Sequence, residues 1–206
     1  MIGGIILRHC LERNDVAKVT SIVRKKSGIV HPKLEEIVHE NFFDYSSVTE
    51  HFKNQDIAFY CVGVYTGQVP KDEFRKITVD YTEAFAKTLR ANSEKTTFCF
   101  LSGAGADSTE KSSVMFARDK GVAENILLKL NFDHTYIFRP AYIYPVTPRK
   151  EPNFMYRLMR FLWPVLKLVY PNGGISSEDL AKAMVKAGFD GTGKTILENK
   201  NIRILA

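Results

Sequence analysis

The chain has 206 residues, 45% of them hydrophobic and 25% charged, with a net charge of +6. This is the composition of an ordinary globular domain with room for a full core, and one domain spanning 1–206 is expected. The positive charge suits an anionic ligand such as a phosphorylated nucleotide. No long basic run argues for a nucleic-acid or membrane partner. Cys10, Cys61 and Cys99 are scattered and odd in number. They read as buried thiols in a reducing, cytoplasmic compartment rather than as a disulfide set or metal site. His9, His31, His39, His51 and His134 show no metal-ligand spacing, so no metal is expected. The first residues also lack a charged segment followed by an apolar one, so no signal peptide is expected.

Strand and helix patterns alternate along the chain. Ile5 to Glu12 reads as a helix, Val19 to Val23 as a strand, Glu36 to His39 as a short strand and Val48 to Phe52 as a short helix. Asp56 to Val62 is a continuous apolar strand, Asp72 to Leu89 a long helix, and Thr97 to Leu101 a second buried strand. A helix over Val114 to Leu130 precedes a strand over Thr135 to Arg139, stopped by Pro140. Ser176 stands as an N-cap before a helix reaching Ala187, and Ile196 to Glu198 is the last strand. Continuous apolar strands separated by helices imply an α/β fold, a doubly wound parallel sheet covered on both faces.

In such a sheet, ligands sit at the carboxyl ends of the strands. The opening Met1-Ile2-Gly3-Gly4 and the strand ending at Val23-Arg24 form the back half of a dinucleotide-binding βαβ unit. Gly3 is then the close of a glycine loop whose first strand and two earlier glycines do not precede it. The fold therefore reads as N-terminally incomplete. The expectation is a longer native chain, with this one marginally stable, aggregated or completed by another segment, because a central strand's loss leaves edges unpaired. Arg24 and Lys25 follow the first strand, where a guanidinium suits the 2′-phosphate of NADP and a carboxylate would suit NAD. Gly63 ends the Asp56–Val62 strand and would let backbone approach a ribose or nicotinamide.

The stretch Phe154 to Tyr170 is strongly apolar, but Arg157, Arg160, Pro164 and Lys167 interrupt it, which argues against a membrane span. It reads as a helix kinked at Pro164 within a substrate or lid region of about 141–175. A pocket lid, a homodimer face and an interfacial helix all stay open for it. Gly188 to Thr195 satisfies G-x-x-x-x-G-K-[ST] letter for letter. A phosphate loop follows a strand and opens a helix; here a helix precedes and a strand follows, so it reads as a turn.

The segments Asp56–Gly63, Leu101–Asp107, Lys120–Glu124, Phe138–Pro140 and Leu197–Asn199, in this order and spacing, resemble the atypical short-chain dehydrogenase/reductases, in the group of Tat-interacting-protein-like oxidoreductases. The resemblance implies a tyrosine that exchanges a proton with a substrate carbonyl. It also implies a lysine four residues later that lowers the tyrosine's pKa and holds the nicotinamide ribose, and a serine that orients the carbonyl. Lys120 matches the lysine and Ser102 the first of two hydroxyl positions. The second is Gly103, and the tyrosine position is Phe116, which cannot exchange a proton. Tyr142 and Tyr144 lie nearby but read as core or pocket wall. This leaves two readings. One is an NADP-dependent oxidoreductase of a small carbonyl or alcohol with altered proton delivery; NAD is the less favoured cofactor. The other is a cofactor-binding but catalytically weak sensor or interaction module.

Overall fold

A computed structural model of the chain describes residues 1–147, 157, 160–163 and 169–206. The first helix, α1 (Ile2–Glu12), leads into β1 (Val19–Val23), β2 (Leu34–Val38), a 3₁₀ segment (Ser46–Phe52) and β3 (Ile57–Tyr60). A continuous helical rod comes next: α2 (Lys71–Arg75), a π-helical insertion (Lys76–Asp80) and α3 (Tyr81–Asn92). Then come β4 (Thr97–Leu101), α4 (Met115–Lys129), β5 (His134–Arg139) and β6 (Tyr142–Tyr144). The chain closes with β7 (Gly174–Ser176), α5 (Ser177–Asp190), β8 (Ile196–Glu198) and α6 (Asn199–Leu205).

Every strand pair among the described residues is parallel. Instead of one sheet there are three: β1-β2, β3-β4-β5-β8, and the small pair β6-β7. Side-chain alternation splits the core into two layers. In β4, Phe98 and Phe100 face an aromatic cluster with Tyr45, Phe52, Leu89 and Leu127, while Cys99 faces the opposite cluster of α1 and α5. A strand with apolar residues on both faces needs cover on both, and α1 with α5 on one side and α3 with α4 on the other provide it.

Local chemistry explains the element ends. The Ser176 hydroxyl accepts from the Asp179 amide at 3.0 Å, capping α5. Gly191 then adopts φ 78° to end that helix, and its amide donates to Ala187. The Gly188–Thr195 segment is thus the end of α5 and a turn into β8, with the phosphate-loop context inverted as expected. All three cysteines are free; Cys10 and Cys99 are buried, and Cys61 lies just past β3.

Several expectations are corrected. The Asp56–Val62 strand is shorter, the second strand starts two residues earlier at Leu34, and the long helix contains a π insertion. The strands β6 and β7 and the helix α6 were not anticipated. Of the apolar stretch, Phe154–Tyr156, Leu158, Met159 and Pro164–Leu168 lie outside the described residues, and the kink at Pro164 with them. No helix among the described residues is long and apolar enough to cross a membrane.

Candidate active site at the carboxyl edge of the sheet

The strands β3, β4 and β5 run parallel, so their carboxyl ends share one edge, where a cavity of about 550 Å³ opens. Residues 61–66, 101–104 and 140–143, each following or ending one strand, wall it. Phe116 and Lys120 enter from α4, and Met1 and Ile2 from the start of α1. Phe116 and Lys120 are four residues apart, and a helix puts such positions on one face.

Lys120 is only 8% exposed. Its Nζ donates to the Leu101 carbonyl at 3.3 Å and lies 5.1 Å from the Phe100 ring centroid. Burial pulls the ammonium from 10.5 to about 8, with the negative charge of Glu124 working in the opposite direction.

Glu124, one turn further on α4, is fully buried and anchors a network that sequence reasoning missed. Arg139 grips it with two hydrogen bonds, Nε to Oε1 at 3.0 Å and an Nη to Oε2 at 2.5 Å. Arg139 also donates to Glu198 at 3.1 Å and to the Ser108 hydroxyl at 2.8 Å. The pairing pushes the Arg139 guanidinium further above its already high range. The network fastens the ends of β5 and β8 to α4. Its signal was in the sequence: Glu124 sits one helical turn after Lys120, and Arg139 is the last residue of an apolar strand, so each had to find a charged partner.

The Ser102 hydroxyl donates to Glu124 at 2.5 Å. Its one proton is therefore engaged with the network, and orienting a carbonyl with it requires breaking that bond. Beside it, a Cβ built on Gly103 would come within 2.6 Å of the Phe116 ring. The missing hydroxyl at 103 and the aromatic ring at 116 are thus one packing arrangement. Gly121 is tighter still: its Cβ would fall 1.8 Å from the Asp107 carbonyl oxygen, and this close approach lets the loop after β4 lie against α4.

The other anticipated residues divide. Gly63 lines the cavity, and a Cβ there would meet nothing within 4 Å. Arg24 and Lys25 are exposed at the carboxyl end of β1 and do not line the cavity. Gly3 lies in the first turn of α1, its virtual Cβ 3.5 Å from that of Cys61, and lines a neighbouring cleft instead. Tyr142 is a wall residue whose ring packs 5.4 Å from Trp163, and Tyr144 packs on the same indole.

No family profile matches the chain, and no curated protein matches it by sequence. Solved structures do. The NAD+ complex of the enzyme WbmH from Bordetella bronchiseptica aligns over 95% of this chain and 70% of its own, with TM-score 0.65 and 17% identity. The UDP-N-acetylglucosamine 4-epimerase from Methanobrevibacter ruminantium, in complex with UDP-N-acetylmuramic acid, aligns over 95% and 71%, with TM-score 0.66 and 18% identity. The enzyme of the same name from Bacillus cereus aligns over 99% and 79%, with TM-score 0.65 and 13% identity. The chain therefore shares the Rossmann-type parallel α/β fold of these solved structures.

Proposed function

We propose that this chain binds a nicotinamide dinucleotide at the carboxyl edge of its sheet, NADP(H) ahead of NAD(H), and serves as an oxidoreductase of a small carbonyl or alcohol compound. The observation that carries the reading is Lys120, a buried cation on the wall of a strand-end cavity. The remaining donors suit the group. The start of α1 borders the cavity, and its first amides lack helical partners, which favours a phosphate. Gly63 leaves open space on the cavity wall. Arg24 and Lys25 stand exposed where a 2′-phosphate is read in this fold. When bound, the nicotinamide would supply or accept hydride. Lys120 would hold the ribose hydroxyls. Phe116 supplies no proton, so carbonyl protonation falls to water, at a cost of about 10²–10⁴ in rate relative to a placed phenol. The NAD-bound WbmH neighbour supports a dinucleotide.

A second reading, a binding module with no turnover, draws on the Phe116–Gly103 packing and the engaged Ser102 proton. Fluorescence titration with NADPH and NADH tests the first step. Saturable binding that favours NADPH, and loses that preference in Arg24→Ala, supports the proposal. A folded chain that binds neither nucleotide refutes it. A carbonyl screen with Phe116→Tyr then separates the readings: restored turnover supports the enzyme, and none with NADPH bound supports the module.

A further inference from the structure

A lysine is rarely buried without a carboxylate bound to it. Lys120 is 8% exposed and lines the strand-end cavity. Among the described residues lining that cavity it is the one charged side chain, and none is a carboxylate. Its Nζ donates to the Leu101 backbone carbonyl and lies 5.1 Å from the centroid of the Phe100 ring. Glu124 favours the charged form from one helical turn away. Both oxygens of Glu124, however, accept hydrogen bonds from Arg139, and one of them also from Ser102. Phe116, one turn before Lys120, offers the amine no hydrogen-bonding group.

This setting changes what the amine can do. An ammonium has no lone pair to offer a carbonyl carbon, whereas the neutral amine has one. With a pKa of about 8, about a tenth of Lys120 is neutral at pH 7, against about one part in three thousand for a lysine at 10.5. Cys61, also on the cavity wall, adds no opposing charge, because burial pushes its thiol up to about 12. The rest of the wall suits an apolar guest. Val62, Val64, Phe116, Pro140 and Ile143 line it, and about 550 Å³ leaves room for an aromatic ring.

We propose that Lys120 is a covalent capture site for carbonyl compounds, its neutral amine forming a reversible imine with an apolar aromatic aldehyde held in the strand-end cavity. The nitrogen lone pair attacks the carbonyl carbon, and the C=O π pair moves to oxygen. Both protons of the amine leave with that oxygen as water, and a C=N bond remains. Nothing is oxidised or reduced, and water reverses the step. One nitrogen cannot hold a nicotinamide ribose and an imine at once, so the two uses of Lys120 exclude each other. Imine formation itself needs no dinucleotide and stands independently of the nucleotide reading.

The test incubates the whole folded chain with benzaldehyde and sodium cyanoborohydride, which reduces a C=N bond to a stable secondary amine. Peptide mapping by mass spectrometry then locates the benzyl group and separates Lys120 from the terminal amine. The expected result at pH 7 is a benzyl group on Lys120, formed at least tenfold faster than on any other lysine. That advantage should shrink toward pH 10, where ordinary lysines also lose their protons. Labelling spread over the lysines without preference for Lys120, or confined to the terminal amine, overturns the proposal. Labelling of Lys120 that appears only after unfolding in urea also overturns it, since the cavity would then be closed to the aldehyde. Lys120→Arg, checked for folding by circular dichroism, is expected to lose the fast adduct; a folded variant that keeps it refutes the site. Excess NADPH is expected to slow the adduct at least tenfold. A Lys120 adduct that NADPH leaves unchanged supports the imine site and counts against the nucleotide reading, so the two can fail separately.

Discussion

Lys120 places a positive charge where the fold resists it, and the cost can be read from stability. Burial holds its folded pKa at about 8 against 10.5 for the free side chain. At ~1.36 kcal/mol per pH unit, this amounts to about 3 kcal/mol against folding at pH 7. The sign comes from proton binding. Between pH 8 and 10.5 the unfolded chain holds more protons than the folded one, so stability rises with pH through this window. The penalty is full below pH 8 and gone above 10.5. Lys120→Met keeps the stem and removes the charge, while giving up the bond to Leu101 and the contact with Phe100. The expected net gain at pH 7 is about 1–3 kcal/mol, because those lost contacts offset part of it. Urea unfolding of both proteins at pH 7 and 10.5 measures it. A gain at pH 7 that disappears by pH 10.5 supports the argument. A variant destabilised equally at both values refutes it, since the ammonium would then contribute only packing.

The neighbouring residues give further expectations. Gly103→Ser should cost about 1–3 kcal/mol by overpacking against Phe116, and the added change Phe116→Ala should recover part of it in a double-mutant cycle. Gly121→Ala forces a methyl onto the Asp107 backbone and should lower stability by more than about 3 kcal/mol, visible as a collapsed thermal transition. Glu124→Gln strips the counter-charge from Arg139, with an expected loss of about 3 kcal/mol on denaturation. It should also lower the Lys120 pKa further, which pH-dependent acetylation of that lysine would report. Ser176→Ala removes the α5 cap and should cost about 1 kcal/mol by the same urea assay.

Much of this fold was legible because its strands are short and apolar and have clear stops. The ranges of β1, β4 and β8 match their sequence patterns residue for residue, and α4 differs by one residue at each end. The strands β6 and β7 were not legible, because three residues are too few to establish an alternation. The helix α6 follows β8 without a turn residue between them, so no punctuation marked it. At the site, Gly63, Ser102, Phe116 and Lys120 meet in one cavity because strand ends and one helix face converge there. Gly3 borders the neighbouring cleft, and Arg24 and Lys25 are exposed just past β1, because local sequence does not say which cavity a residue faces. The partner of Ser102 was illegible for a related reason. Its bond to Glu124 spans 22 positions, and no local period records it.

The π insertion at Lys76–Asp80 acts as a phase shift. Phe74 and Phe85 are eleven residues apart, about three turns of regular helix, and would share a stripe. One surplus residue rotates the rest of the rod by roughly a quarter-turn. Phe74 accordingly points to Phe116 at 6.3 Å, while Phe85 turns to Tyr45, Phe52 and Tyr60. A single-residue deletion within Lys76–Asp80 would re-align the two rings. It would turn Phe74 toward the aromatic layer and withdraw one of the side chains that hold Phe116 over Gly103, so that the spelling of this insertion sets how the cavity wall is propped.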